Sequence, residues 1–343
     1  MNRNFSETLA YVAASADREL RVFFDRSKKR AQQQGAGTEL VDAIAELTLR
    51  GGKRLRPALA YVAYTAVREA ADDDELVRSL ICLEILHTYL LVHDDIMDDS
   101  DVRRGGPSLH MSLGSELGDR GMSRSLAILA GDLGSAFCIM PLIESDHPPD
   151  QKMAAVREFL KSHELVVLGQ ELDLRGKGPA DRIMHLKTAS YSTAGPVRTG
   201  AALAGASTEV LDGLESWALP AGLAFQLRDD VLGLFGEEEK TGKPAGDDLM
   251  EKKHTYLIEV FEQLASPGQK AAVDRVYGKR TASKEDLDTA LDAIRSSGVL
   301  KEAEEKISLY VRQSITALEN VEISEDGRNL FSQASELLGY RNL

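Results

Sequence analysis

Five aspartates, Asp94, Asp95, Asp98, Asp99 and Asp101, crowd the stretch LLVHDDIMDDSDVRRGG at 90–106, and Arg103 and Arg104 follow them. Residues four apart are neighbours on a helix, so Asp94 and Asp98 repel by a few tenths of a kcal/mol unless positive charge lies between them. The DDxxD spacing puts Asp94 and Asp98 on one face, with Asp95 beside them. Oxygen ligands in such an array suit a hard cation. Mg²⁺ in particular binds through one or two carboxylates and keeps places for water and phosphate oxygens. The alternative is a solvated acidic helix end. These acids, however, stand at what reads as a C-terminal end, where the helix dipole opposes them. Metal binding is the expectation.

A second acidic pair, Asp229 and Asp230, occurs in FQLRDDVLG with Gln226 one turn earlier, and Gly233 stands where a third acid would complete the pattern. Helical proteins build metal sites from side chains on facing helices, so the two acidic faces are expected to converge on a shared metal-diphosphate cluster. The complement is cationic. GGKRLRP places Lys53, Arg54 and Arg56 in a Gly-flanked turn before a helix expected at Pro57, where backbone N–H groups and the dipole favour anions. Arg103 and Arg104, Lys187 and Thr188 in KTASYS, and Lys243 and Lys253 around GKPAGDD add to this set. Each alone is an ordinary solvated cation. Together they suggest two diphosphate clamps.

The elements that must position these groups read as helices. Apolar residues recur at three- and four-residue spacing, as in Leu40, Ile44, Leu47 and in Leu80, Leu83, Leu86, Leu90. Period-two alternation is absent, and the DG pairs at Asp212 and Asp326 lie inside helical patterns, so the hairpin signal fails. The expected fold is almost entirely α, with about a dozen helices. Breaks fall at the Gly- and Pro-rich stretches 35–37, 51–57, 103–107, 145–150, 175–179 and 235–248. The helices beyond 250 read as scaffold.

Composition limits the alternatives. The 343 residues are 43% hydrophobic and 28% charged, with a formal net charge of -14. An acidic chain lacks the surplus of Lys and Arg that nucleic-acid phosphates require, so no nucleic-acid partner is expected. Cys82 and Cys138 lie in apolar stretches and read as buried thiols in a reducing compartment. The N-terminus lacks the pattern of a signal peptide. The apolar windows near 80–92 and 126–143 are interrupted by Glu84, His87 and Asp132, short of the roughly 20 apolar residues of a spanning helix. The expectation is a cytoplasmic protein without stable membrane insertion.

The ordered set GGKRLRP, EILHTYLLVHDDIMDDSDVRRG, GQELD, KTASYS, FQLRDD and GKPAGDDLMEKK, over about residues 51–255, resembles the trans-isoprenyl diphosphate synthases, which include the farnesyl and geranylgeranyl diphosphate synthases. The resemblance implies one domain over 1–343, a single large antiparallel helical bundle around a deep central cavity, and a homodimer. It implies that Asp94, Asp95, Asp98 and Asp229 hold a cluster of about three Mg²⁺ ions on an allylic diphosphate, each ion keeping diphosphate and water oxygens, with Asp230 and Gln226 in support. Arg103, Lys187, Thr188 and Lys253, with Lys243 close by, match the remaining contacts of that diphosphate. Lys53, Arg56, His87 and Arg104 match a separate metal-free clamp for isopentenyl diphosphate. Gln170 and Asp173 match a polar pair near the reacting carbons. His93 gains no such match and reads as structural, and Asp99 and Asp101 read as outer or arginine-pairing acids. Gly233 implies a slightly thinner metal shell.

The implied cavity runs back along the helix from Asp94, walled by Leu90, Tyr89, Leu86 and earlier residues. At 1.5 Å per residue, Tyr89 lies roughly 7.5 Å from Asp94 along the axis. In the family, an aromatic residue five before the first aspartate, a smaller one four before and an uninterrupted motif accompany the twenty-carbon product, geranylgeranyl diphosphate. A farnesyl or longer-chain product, a class I terpene cyclase and a non-catalytic subunit of a heteromeric synthase are the alternatives. The cyclase reading lacks a use for the second clamp, and the subunit reading does not fit an intact first motif.

Overall fold

The computed structural model describes residues 3–70, 72–236, 246–279 and 281–340. Chain contacts divide it into two compact units, residues 1–160, 196–211 and 322–327 in the first and residues 161–195, 212–321 and 328–343 in the second. The first unit holds α1 Phe5–Gln33, α2 Glu39–Leu49, α3 Leu55–Val67, α4 Asp73–Leu80, α5 Cys82–Met97, the strands β1 Val102–Arg103 and β2 Gly106–Pro107, α6 Leu109–Leu117, α7 Arg120–Cys138 and α8 Met140–Glu144. Helix α9, Pro149–Leu174, begins there and ends in the second unit.

Helix starts follow capping chemistry. Asn4 and Glu7 form a reciprocal capping box at α1, and the Asp72 carboxylate accepts from the Asp74 and Glu75 amides at α4. Val12, Ala16, Leu20, Phe23 and Phe24 then line one face of α1 and join Ile44, Leu47, Leu80, Leu83 and Leu86 in a single core. Phe23 meets Phe24 and Phe137 edge-on, with ring centroids 5.5 and 5.7 Å apart. Both cysteines are free and buried, as expected.

In the second unit, α10 Ala180–Ile183 runs into a π-helix, Met184–Ala194; α11 Gly195–Leu203 falls mostly in the first unit. There follow α12 Thr208–Phe235, α13 Asp247–Met250, α14 Tyr256–Leu264, α15 Pro267–Val273, α16 Lys284–Ser296, α17 Val299–Ala317 and α18 Glu325–Gly339. Trp217 of α12 stacks on Phe331 of α18 at 4.4 Å and donates its indole N–H to Ser335 Oγ at 2.9 Å. Arg228 donates to both carboxylate oxygens of Glu304 at 2.7 Å and to the Gly339 carbonyl at 2.8 Å. The C-terminal helices thus brace α12 one residue before Asp229 and Asp230, in keeping with a scaffold.

The all-α expectation holds, with three corrections. The described residues carry eighteen α-helices and one π-helix rather than about a dozen helices, because several breaks consume a single residue, such as Ile81 between α4 and α5. Helix α3 begins at Leu55, before Pro57, since Arg54 takes a left-handed conformation and itself caps the helix. The stretch at 103–107 is a two-stranded antiparallel ribbon and not a plain break. Two runs, Asp73–Met97 and Arg120–Glu144, are long and apolar enough by composition to cross a membrane, contrary to the expectation from their interruptions. Most of the first is buried in the core, where its apolar residues serve packing.

Candidate active site

In the first unit, α5 delivers the acidic motif at its C-terminal end. Asp98 is the C-cap, its amide donating to the Asp94 carbonyl at 2.9 Å. Asp98 is exposed, Asp94 half-buried and Asp95 fully buried. The ribbon follows immediately. Val102 pairs with Pro107 and Arg103 with Gly106, leaving Arg104 and Gly105 as a two-residue turn with φ of 53° and 71°. Positive φ at both positions is the type I′ hairpin turn, which costs Gly nothing and strains Arg.

That turn sends two neighbouring arginines to different places. Arg103 pairs with Asp95, its Nε donating to Oδ1 at 2.8 Å, and lies 3.8 Å from Asp94. Arg104 instead donates to the Leu47 carbonyl at 3.2 Å and lies near Arg54, Arg56 and the His87 imidazole. Burial first, and then the Arg56 and Arg104 guanidiniums, hold the His87 imidazole well below its ordinary pKa, so it stays neutral and can donate an N–H. Burial and the neighbouring Arg54 and Arg56 also lower Arg104, against the pull of Glu84. Like charges gathered this way raise the local positive potential. Arg54 is not open to an anion: it is 2% exposed and committed to Glu84 at 2.7 Å and Asp17 at 2.8 Å. Lys53 is exposed beside it.

Tyr89 and Leu90 on α5 are partly buried, whereas Leu86 is enclosed in the core. Tyr89 Cβ lies close to α7 at Gly134, where an added Cβ would come to 3.1 Å, and its ring meets His93 edge-on at 5.2 Å. His93 Nε2 sits 3.3 Å from the Ile128 carbonyl, a structural role as expected. Asp99 pairs with Arg124.

In the second unit, Thr188 donates to Gln226 Oε1 at 2.6 Å and Gln226 donates to Asp230 Oδ1 at 2.6 Å, a short relay from the π-helix to α12. Lys187 pairs with Asp173 at 2.6 Å, one turn along α9 from Gln170. The wide π-turn fits because glycines face it. A Cβ on Gly169 would come 2.8 Å from Lys187 Cα, and one on Gly222 2.7 Å from Ala189 Cα. Asp230 is 5% exposed, while Asp229 is more open. Burial, with Asp248 and Asp229 nearby, pushes the Asp230 carboxyl well above the usual range despite its bond from Gln226. Lys253 pairs with Asp248 at 2.9 Å and Glu251 at 2.6 Å; burial works against its charge, but these acids outweigh it and raise its pKa. Lys243 lies outside the described residues.

The residues present fit a hard cation. Each unit holds a buried acceptor without a hydrogen-bond partner among the described residues, Asp95 Oδ2 in the first and Asp230 Oδ2 in the second, a costly condition that a cation bound in that unit would relieve. Burial also raises the Asp95 carboxyl, against Arg103. Among the described residues no three His, Cys, Asp or Glu side chains converge as a metal cage.

Residue patterns missed Arg50. It grips Glu46 at 2.6 and 2.7 Å and donates to the Arg103 carbonyl at 2.9 Å and the Pro107 carbonyl at 2.6 Å. Two-residue strands cannot hold a hairpin alone, so Arg50 anchors the turn that aims Arg103 and Arg104. Its place directly before GGKRLRP was the available signal. Arg50→Ala is expected to weaken binding of inorganic diphosphate about tenfold, the worth of about 1.4 kcal/mol from lost charged hydrogen bonds. Titration calorimetry checks this, and unchanged binding would show that the hairpin stands without it.

The sequence model of the polyprenyl synthetase family matches residues 38–294. A geranylgeranyl diphosphate synthase of Sulfolobus acidocaldarius is 31% identical over 301 residues, 84% of this chain and 86% of that protein. A farnesyl diphosphate synthase of Geobacillus stearothermophilus is 34% identical, covering 74% of this chain and 84% of that protein. The solved geranylgeranyl pyrophosphate synthase of Corynebacterium glutamicum, complexed with isoprenyl diphosphate and magnesium, aligns with a TM-score of 0.90 at 29% identity, covering 99% of this chain and all of that one.

Proposed function

The chain belongs to the polyprenyl synthetase family, and from that membership we propose that it is a Mg²⁺-dependent prenyltransferase. It joins isopentenyl diphosphate head-to-tail to dimethylallyl, geranyl and farnesyl diphosphates, ends at all-trans geranylgeranyl diphosphate and releases diphosphate. One observation carries this reading: a single hairpin turn sends Arg103 to the acids of the first motif and Arg104 toward Arg56 and the neutral His87, near which Glu84 is already taken by Arg54. Two anion sites call for two diphosphates.

By family membership, Asp94, Asp95 and Asp98 of the first unit, and in the second Asp229 with Asp230 and Gln226, would hold Mg²⁺. When bound, Mg²⁺ supplies charge neutralisation to the allylic diphosphate. Arg103, Lys187, Thr188, Lys243 and Lys253 hold the oxygens of that group and stabilise negative charge as the allylic C–O bond breaks. Lys53, Arg56, His87 and Arg104 hold isopentenyl diphosphate so that its alkene faces the allylic cation, which orientation alone favours strongly. The new C–C bond forms, a proton passes to the departing diphosphate, and a double bond returns. Gln170 and Asp173 border the reacting carbons. Tyr89 and Leu90, backed by Leu86, set the chain length.

Titration calorimetry tests the two-clamp assignment. Isopentenyl diphosphate is expected to bind equally with Mg²⁺ or with EDTA, whereas a non-reactive allylic thiodiphosphate loses at least about tenfold in affinity on metal removal. Metal-dependent binding of isopentenyl diphosphate would contradict it.

The same proposal takes 1–343 as one synthase domain acting in the cytoplasm as a homodimer, without nucleic-acid partners or membrane insertion. Support for the dimer comes from α7 and α8, where Met122, Ile128, Leu129 and Ile143 are about half exposed. Sedimentation equilibrium should find a dimer that Leu129→Glu converts to monomer; a monomeric parent protein would contradict it.

A further inference from the structure

Cationic and polar groups of the second unit stand on two segments far apart in the chain, Lys187 and Thr188 on the π-helix and Lys253 in the turn before α14. One carboxylate oxygen joins those segments. Glu259 Oε1, near the start of α14, accepts from the Ala180 amide at 2.9 Å and from His254 Nε2 at 2.9 Å. Ala180 opens α10, which runs directly into the π-helix. The N-cap of α10, Pro179, makes no side-chain capping bond, so Glu259 satisfies the first amide of that helix from 79 residues away. His254 directly follows Lys253, and the turn is held on both sides of it. The Tyr277 hydroxyl donates to the Lys253 carbonyl at 3.3 Å, and Thr255 caps α14 by accepting the Ile258 amide at 3.4 Å. Helix α10 has a tie of its own to α17, where Lys306 donates to Asp181 Oδ2 at 3.3 Å with its ammonium 4.9 Å from the Tyr256 ring centre. Each segment is therefore docked independently of Glu259. What Glu259 adds is a direct link between them.

We propose that Glu259 is a positioning residue for diphosphate: by tying the start of α10 to the Lys253 turn, it sets the spacing of Lys187 and Thr188 against Lys253. The inference rests on the reading of these three residues as contacts of the allylic diphosphate. A lysine carries a point charge on a flexible four-carbon stem, so the place its ammonium can reach follows from the place of its backbone. A displacement of about 1 Å in groups that orient a reactant can cost up to about a hundredfold in rate. Glu259 acts through the two segments it joins rather than by contact with the diphosphate.

Titration calorimetry of inorganic diphosphate with Mg²⁺ on the full chain tests this. Glu259→Ala, which loses both bonds, is expected to weaken binding about tenfold. Glu259→Gln keeps an oxygen that accepts from both donors and should stay within about threefold of the parent protein. Helical content by circular dichroism should be unchanged in both, because the Lys306 and Tyr277 contacts remain. Nonadditivity then separates positioning from general loosening: in a Lys253→Ala background, Glu259→Ala should cost no more than about threefold, since one of the groups it aligns is gone. The same loss in both backgrounds, equal losses for the Ala and Gln variants, or parent-like binding by Glu259→Ala overturns the proposal. A parent protein that binds no diphosphate in the presence of Mg²⁺ would instead overturn the reading beneath it.

Discussion

Asp94→Ala should lower turnover about a hundred- to a thousandfold while leaving the helical content intact. A carboxylate that holds the cation supplies several kcal/mol of transition-state stabilisation, and about 3–4 kcal/mol corresponds to that loss of rate. Asp94 is half-buried at the end of α5, its contact with Arg103 spans 3.8 Å, and alanine is the strongest helix former. Asp95 is the contrasting case. It is fully buried and carries the close pair with Arg103, so its removal disturbs the hairpin as well as the metal site. Steady-state kinetics with circular dichroism separates the two effects, and near-normal turnover of Asp94→Ala would contradict the metal assignment.

Tyr89→Ala should shift the main product from twenty carbons to twenty-five or more. The ring lies about five residues, roughly 7.5 Å, back along α5 from Asp94. Its Cβ lies near α7 at Gly134 and its ring meets His93 edge-on, contacts that limit the phenol's freedom. Because Tyr89 also packs against the core, truncation costs stability, up to about 3 kcal/mol for a partly buried aromatic. Tyr89→Leu retains more packing and should move the product the same way by less. Mass spectrometry of the products decides the matter; an unchanged distribution in both variants would place the stop on another helix.

Much of this was legible in the residue pattern because it rests on local periodicity. The spacing of Leu83, Leu86 and Leu90 gave α5, although the pattern from Leu80 ran through the break at Ile81, and DDxxD spacing put Asp94 in its last turn with Asp98 as its C-cap. What pattern could not show depends on backbone conformation and on distant partners. The hairpin at 102–107 has strands of two residues, too short for alternation, and its turn carries Arg104 where Asn or Asp is usual. Arg54 and Arg56 look alike in GGKRLRP, yet only the left-handed backbone at 54 and the distant acids Asp17 and Glu84 reveal that Arg54 is structural. The π-helix under Lys187 and Thr188 depends on glycines from α9 and α12.

The most direct measurement is product analysis of the purified protein with Mg²⁺, isopentenyl diphosphate and each of dimethylallyl, geranyl and farnesyl diphosphates in turn. The account predicts that all three primers converge on geranylgeranyl diphosphate and that EDTA abolishes it. No incorporation of isopentenyl diphosphate by the protein alone, or conversion of an allylic primer to a hydrocarbon without its consumption, would contradict it.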